Sequence, residues 1–197
     1  MTNHSKITLK LGREKSLQRR HPWVFSGAVE RVAGSPDPGA TVRVENADGH
    51  FLAWGAWSPS SQIRVRIWSW QEDESIDDEF FRKRLSAALQ FRQTVLPDFQ
   101  SNARRLVHGE ADGLPGLIVD QYGEVLVLQC LSVGTDQWRD TLVGLLNELT
   151  ECTAIYERSD AEVRKLEGLE RRRGLLSGTL PEPLQIMEQG LTLEVDV

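Results

Sequence analysis

The chain has 197 residues, of which 40% are hydrophobic and 26% charged, a composition typical of a globular protein with a buried core. No apolar run reaches the roughly 18 residues needed to cross a bilayer, and the first residues lack the hydrophobic region of a signal peptide. Two cysteines exclude a disulfide framework and a cysteine-rich metal site. These features predict a cytoplasmic protein with no membrane partner.

Positive charge is concentrated near the start of the chain, although the net charge is −6. Residues 1–31 contain seven Lys or Arg and two Glu, a local charge of +5, so the remaining residues carry −11. Such segregation predicts one surface that faces a polyanion on a chain that polyanions otherwise repel.

Residues 7–70 read as short strands separated by turn signals, which predicts a small β-barrel or sandwich. A turn at 46–49 and a loop with two prolines at 34–39 separate several of the strands. The predicted strands cover residues 7–11, 23–32, 41–45, 51–57 and 62–70.

The last of these strands has two different faces. Ile63, Val65 and Ile67 alternate on one face, which predicts the core side. The other face combines cations with aromatic rings, namely Arg64, Arg66, Trp68 and Trp70. This face suits phosphate pairing and base stacking, but solvated arginines with tryptophans packed against a following domain explain the pattern equally well.

An acidic segment at residues 72–79 predicts the start of a helix, with Ser75 and Asp78 spaced as a capping box. Apolar residues then recur at helical spacing until Pro97 ends the run. We interpret this helix as a connector between two domains.

A second unit begins at residue 104 and combines strands with helices, which predicts an α+β layer. Asp136 is a candidate cap for a middle helix, and Ser159 with Glu162 for a short one. The predicted strands cover residues 105–110, 116–120, 125–131, 154–158 and 190–197.

No complete active site is found in the sequence. His108, Glu110 and Asp112 alternate like a metal triad, but the turn signal at Asp112 favours a structural role. Cys130 lies in an apolar run with no basic neighbour, which predicts a buried structural thiol, and Cys152 is interpreted in the same way. Nucleotide-binding and hydrolase motifs are absent.

The basic stretch from Gly12 to Gly27 is the strongest candidate for a nucleic-acid contact. Its cations fit on a helix of one to two turns, where they can bind backbone phosphates. His21 and Trp23 can stack on a splayed base. The alternative is a solvated basic helix. The candidate RNA-binding residues are Arg13, Lys15, Arg19, Arg20, His21, Trp23, Arg64 and Arg66.

Two groups of ordered motifs then resemble a known family. Residues 12–17, 21–27 and 58–66, which read GREKSL, HPWVFSG and SPSSQIRVR, are similar to the N-terminal PUA domain of bacterial 23S rRNA (cytosine-5) methyltransferases, which use S-adenosylmethionine. Residues 109–117 and 156–168, with GEADGLPGL and YERSD followed by VRK and EG, resemble the central α+β domain of that family.

The resemblance implies a mixed α+β fold made of a PUA-like RNA-binding barrel at 1–72, a connector helix at 73–100 and a central α+β domain at 101–197. It also implies that the SAM-binding α/β domain, with the cysteine that would attack C6 of the cytosine before C5 takes the methyl group, is absent from this chain. We therefore expect no catalytic, cofactor-binding or metal residue here, no bound S-adenosylmethionine and no activity of the chain alone. Ribosomal RNA is the expected partner, and a homodimer is left open.

Two other functions stay open on the sequence. One is a stand-alone RNA-binding adaptor with a PUA barrel and no chemistry. The other is a different PUA-bearing RNA modification enzyme, such as a pseudouridine synthase, which the motifs of the second unit favour less.

Overall fold

The computed structural model describes residues 5–95 and 100–197, which form two main sheets, a separate hairpin and five α-helices within those ranges. The first sheet contains β1 (Lys6–Leu9), β2 (Trp23–Phe25), β3 (Val29–Ala33), β4 (Thr41–Glu45), β5 (Phe51–Trp57) and β6 (Ile63–Ser69). The second contains β7 (Ala103–His108), β8 (Leu117–Tyr122), β9 (Val125–Cys130), β10 (Ala154–Ser159) and β11 (Arg172–Gly178). The hairpin is β12 (Gln185–Glu188) with β13 (Leu191–Glu194), and the helices are α1 (Lys15–Gln18), α2 (Asp78–Val95), α3 (Val133–Gln137), α4 (Arg139–Leu149) and α5 (Val163–Leu166).

The first sheet has the order β2-β6-β5-β4-β1-β3, in which only β1 and β4 are parallel. The two outermost strands, β2 and β3, are joined by the short 3₁₀ turn Ser26–Ala28. Strands at opposite ends of a sheet can be linked by three residues only if the sheet curls back on itself. Register shifts within four strand pairs supply the bending, because bulges increase local twist.

The curled sheet encloses a small apolar core. Leu17 of α1 is buried there beside the inward-facing residues of the strands, so the basic helix is anchored by one leucine. Ile63 is half-buried, and Val65 and Ile67 are fully buried on the side predicted to face the core.

The second sheet has the order β11-β10-β9-β8-β7. Strands β9 and β10 are parallel, so the chain crosses between them through α3 and α4, and the other neighbours are antiparallel. Ser132 begins α3 in a capping box with Thr135. Asp136, the predicted cap of the middle helix, lies inside α3, and α4 begins after Trp138 without a side-chain cap. The hydroxyl oxygen of Ser159 accepts the Cys130 N–H at 2.9 Å, so Ser159 joins two strands and caps no helix.

The two sheets share one continuous core. Ala56 and Trp68 of the first sheet belong to the same buried cluster as α2, α4 and the inner strands of the second sheet. The ring of Trp68 packs edge to face on Phe81 of α2 with centroids 5.3 Å apart, and Phe81 contacts Trp138 at 4.7 Å. Helix α2 therefore forms part of the packed interior.

The sequence located most elements correctly. The predicted strands at 41–45 and 51–57 agree with β4 and β5 residue for residue. The predicted strand at 23–32 is wrong in its middle, because the 3₁₀ turn divides it. The carboxylate of Asp77, and not Ser75, caps α2 by accepting the Phe80 N–H at 3.0 Å. Residues 96–99, including the predicted stop at Pro97, lie outside the described residues.

Close packing between the two sheets predicts that replacing glycine by alanine has opposite effects on stability at two helical positions. A Cβ at Gly134 in α3 would lie 2.5 Å from the Ala56 Cβ and 2.8 Å from Trp68, whereas a Cβ at Gly144 in α4 would meet no atom within 4 Å. We expect Gly134→Ala to lower the free energy of unfolding by about 1–3 kcal/mol through overpacking. Gly144→Ala should raise it by about 0.5–1 kcal/mol because alanine favours a helix.

Urea denaturation of both variants measures this difference. Equal effects at the two positions would contradict tight packing of α3 on the first sheet.

Candidate nucleic-acid interface

Helix α1 ends in a Schellman motif that places an arginine in a conformation favoured by glycine. The N–H of Arg20 donates to the Leu17 carbonyl at 2.8 Å, and the N–H of His21 donates to the Ser16 carbonyl at 3.0 Å. Arg20 has φ of 63°, which is costly for a residue with a Cβ. Because strained backbone conformations cluster at functional sites, this conformation makes the Arg20 side chain a candidate for ligand binding.

Four cations surround α1 and have no acidic partner. Arg13, Lys15, Arg19 and Arg20 are exposed, and none forms an ion pair with a carboxylate within residues 5–95 and 100–197. The Arg20 guanidinium lies 5.3 Å from the ring centroid of Trp70 and is held on the first sheet by this contact. Exposed cations without internal partners are available to an anionic ligand.

Other arginines of the chain are neutralised internally. Arg92 makes two short hydrogen bonds to the carboxylate of Asp112, and Arg105 does the same with Asp120. Further arginines have carboxylate partners, namely Arg43, Arg82, Arg139, Arg158, Arg164, Arg171 and Arg172. The contrast makes the surface around α1 a concentrated source of positive potential in an acidic protein.

An aromatic cluster adjoins these cations on β2. His21, Trp23 and Phe25 occur at every second residue, which places them on one face of an extended segment. The Trp23 ring meets those of His21 and Phe25 edge to face, with centroids 5.7 and 6.2 Å apart. Phe25 is 48% exposed. The cluster provides stacking surfaces next to unpaired cations.

The second sheet holds Trp23 in place. The indole Nε1–H of Trp23 donates to Oε1 of Glu110 at 2.7 Å, a contact between residues 87 positions apart. Glu110 lies in the 3₁₀ turn Gly109–Asp112 that joins β7 to β8. A short hydrogen bond to a carboxylate is among the stronger ones, so the orientation of Trp23 depends on the second sheet.

Arg66 occupies the seam between the two sheets. It is only 8% exposed, and its guanidinium contacts Oε1 of Glu167 at 3.0 Å and Oε1 of Glu110 at 3.4 Å. The same guanidinium lies 5.7 Å from the Trp23 ring centroid. The partner carboxylate of Glu167 also accepts the Val133 N–H at 3.4 Å. Arg66 is therefore held by two carboxylates next to the Trp23 ring and contributes to the position of that ring.

Arg64, on the same face of β6, is half-buried and binds the loop before the strand. Its Nη1 donates to the carbonyl oxygens of Ser58, at 3.4 Å, and Pro59. No carboxylate pairs with it in the described part of the chain. The structure thus brings the candidates on residues 13–23 together, and places Arg64 and Arg66 on the adjacent strand β6, which pairs with β2.

Two of the three side chains that alternate in the sequence like a metal triad have other partners in the structure. Asp112 binds Arg92 and the His108 N–H, and Glu110 binds Trp23, so these side chains form no triad. Among the described residues no group of His, Cys, Asp or Glu could hold a metal ion. Cys130 is buried, as predicted, and burial together with Glu157 raises the pKa of its thiol. No helix within the described ranges is long and apolar enough to span a membrane.

Sequence reasoning missed three residues of this surface. Phe25 carried a usable signal, because it follows His21 and Trp23 at a spacing of two. Glu110 and Glu167 occur in the motifs that carry the resemblance, but their roles depend on contacts with residues more than 80 positions away, which no local pattern indicates.

Comparisons with known proteins show which proteins this chain resembles. Residues 7–70 match the model of a PUA-like domain. The chain is 51% identical over 193 residues to ribosomal RNA large subunit methyltransferase I of Erwinia tasmaniensis, and 50% identical to that of Shewanella amazonensis. Each alignment covers 98% of this chain and 49% of the relative, so the chain spans about half the length of the curated relatives it matches.

Two solved structures share the fold over 96% of this chain. They are a protein from Streptococcus mutans assigned as a SAM-dependent methyltransferase, with a TM-score of 0.77, and a protein assigned as a methyltransferase and solved in complex with SAH, with a TM-score of 0.78. Each is 19% identical and is covered over 47% of its own chain.

This likeness corrects the predicted fold class. We expected a PUA-like barrel, a connector helix and a small α+β domain, set apart from a SAM-binding α/β domain that was absent. Instead, both sheets and their shared core have the same fold as about half of each of these two chains, with a PUA-like N-terminal domain, and this likeness gives no basis for calling the SAM-binding domain absent. The expectation of an absent SAM-binding domain came from the family resemblance, whereas a fold is determined by how its layers pack.

The expectations of inactivity and of no cofactor binding lose their basis with that correction. The alignment to the Erwinia tasmaniensis relative covers 98% of the chain, well beyond the basic stretch and the PUA-like domain. Over nearly its whole length the chain is therefore similar to one part of the ribosomal RNA large subunit methyltransferases I, and within that part residues 7–70 match a PUA-like domain.

Proposed function

We propose that the chain supplies the RNA-recognition surface of a SAM-dependent 23S rRNA (cytosine-5) methyltransferase and positions the RNA for methyl transfer. The observation that supports this most is the group of four exposed, unpaired cations beside the aromatic cluster on β2. The match to a PUA-like domain over residues 7–70 and the names of the relatives support the same assignment.

Each proposed contact follows from its chemistry. Arg13, Lys15, Arg19 and Arg20 bind backbone phosphates, which fixes the orientation of the RNA without reading its sequence. His21 and Trp23 present rings to unpaired bases, and stacking accepts any base because every base has a π-face. The surface is therefore suited to a structured RNA with an exposed single-stranded element.

The two arginines of β6 have different parts in this proposal. Arg64 uses its Nη1 for loop carbonyls and keeps further donors for a phosphate, because a guanidinium has five N–H groups. Arg66 is already paired with Glu110 and Glu167, so it acts through Trp23.

S-adenosylmethionine supplies the methyl group when it is bound to such an enzyme. Adenosyl cofactors are commonly held where a glycine-rich turn follows a strand and opens a helix. The turn Gly109–Asp112 leads instead into β8 and opens no helix. This turn does not fit the cofactor, so we assign it no cofactor contact and derive no step through it.

We expect Arg19→Glu combined with Arg20→Glu to weaken binding of an rRNA fragment at least about tenfold. The slope of log affinity against log salt should become shallower by about 0.7 for each phosphate that is no longer neutralised. Fluorescence anisotropy at several salt concentrations measures both quantities. The control is Lys83→Glu with Lys165→Glu, which makes the same charge change at exposed lysines elsewhere. An equal loss of affinity in the control would mean that the two arginines are solvated residues with no specific role in RNA binding.

Arg20→Gly should separate stability from RNA binding. Glycine adopts the positive φ of residue 20 without steric cost, so the free energy of unfolding should stay constant or rise by up to about 1 kcal/mol. RNA affinity should fall because the cation is gone. Denaturation and anisotropy on the same sample test both effects, and a stable variant with full RNA affinity would refute the role of Arg20.

Glu110→Ala should weaken RNA binding by about five- to tenfold, because the Trp23 indole loses the acceptor that orients it. Glu110→Gln keeps an acceptor oxygen and should retain most of the affinity. Glu148→Ala, which removes an exposed carboxylate paired with Arg82, is the matched control. If alanine and glutamine at 110 both leave affinity unchanged, the orientation of Trp23 does not matter for binding.

A further inference from the structure

A small cavity lies between α1 and the turn that follows β2. Its volume is about 230 Å³, and its lining includes Arg13, Ser16, Leu17, Trp23, Phe25 and Gly27. We propose that this cavity holds one unstacked nucleobase of the bound RNA, an inference that rests on the proposed function and adds a specific subsite to it.

The size of the cavity limits its occupant. Pockets for drug-sized ligands and cofactors typically measure about 300–1,000 Å³, so this one is too small for a whole cofactor. A single planar base is a fragment of suitable size. A base pair is excluded, because only an unpaired base can leave its helix and enter a recess.

The walls of the cavity suit a base. Trp23 and Phe25 have nearly perpendicular rings, with an interplanar angle of 86°, so a base stacked on one ring meets the edge of the other. Aromatic pairs favour both arrangements. Phe25 is 48% exposed in the free protein, and a stacked base would cover apolar surface that is otherwise in water.

Charge favours a nucleotide over an apolar peptide. Arg13 lines the cavity and has no carboxylate partner in the described ranges, so its guanidinium is available to the phosphate attached to the bound base. The hydroxyl of Ser16 can donate to or accept from a base edge. An apolar peptide would use the rings but leave the Arg13 guanidinium without a counterion.

Gly27 lines the cavity and contributes no side chain to it. A Cβ at this position would meet no atom within 4 Å, and the φ of Gly27 lies outside the left-handed region. A larger side chain can therefore be introduced without backbone strain, and it would project into space that the base needs. Gly144 on α4 has the same open surroundings and no positive φ, which makes it a matched control.

The test compares Gly27→Leu with Gly144→Leu in the full chain, using a hairpin RNA whose loop contains 2-aminopurine. We expect Gly27→Leu to lower affinity at least about tenfold and to abolish quenching of 2-aminopurine fluorescence, which reports stacking. Gly144→Leu should bind and quench like the unsubstituted protein. Thermal unfolding verifies that both variants are folded.

Phe25→Leu provides an independent variant if Gly27→Leu is unstable, because it removes the stacking ring and keeps an apolar side chain. We expect it to reduce quenching and affinity as well. Full affinity and full quenching in either folded variant would overturn the proposal, as would an apolar peptide that occupies the cavity without displacing RNA. Failure of the unsubstituted chain to bind RNA would instead overturn the proposed function itself.

Discussion

A buried arginine between the two sheets fixes their relative orientation together with the apolar core that they share. Arg66 is 8% exposed, and its two nearest carboxylates, on Glu110 and Glu167, belong to loops around the second sheet. Removing one partner of a buried ion pair typically costs about 3–5 kcal/mol, because a charge is left without compensation. The two sheets therefore cannot change their relative orientation without exposing or unpairing these charges.

The same contact connects the interior to the proposed RNA surface. Glu110 accepts hydrogen bonds from both Arg66 and the Trp23 indole, and the Arg66 guanidinium lies behind the Trp23 ring. Trp23 in turn packs against His21 and Phe25. The aromatic cluster is thus preorganised by the second sheet, which reduces the entropy lost when a base stacks on it.

Paired and unpaired arginines separate the structural charges from those available to a ligand. Arg92 and Arg105 pair with the carboxylates of Asp112 and Asp120, whereas Arg13, Arg19 and Arg20 have no such partner in the described residues. An acidic protein can therefore still present a positive surface. The local excess was visible in the sequence, but which individual arginines are free became known only from their neighbours.

The sequence alone determined the local elements, the basic character of α1 and the family resemblance. Alternation and turn residues located β4 and β5 correctly, because these signals act within a few residues. The tertiary structure decided whether Arg66 faces solvent, which carboxylate orients Trp23, and that α2 belongs to a core shared by both sheets. It also corrected the fold class. These properties depend on contacts between residues far apart in the chain, and no local pattern specifies which distant surfaces meet.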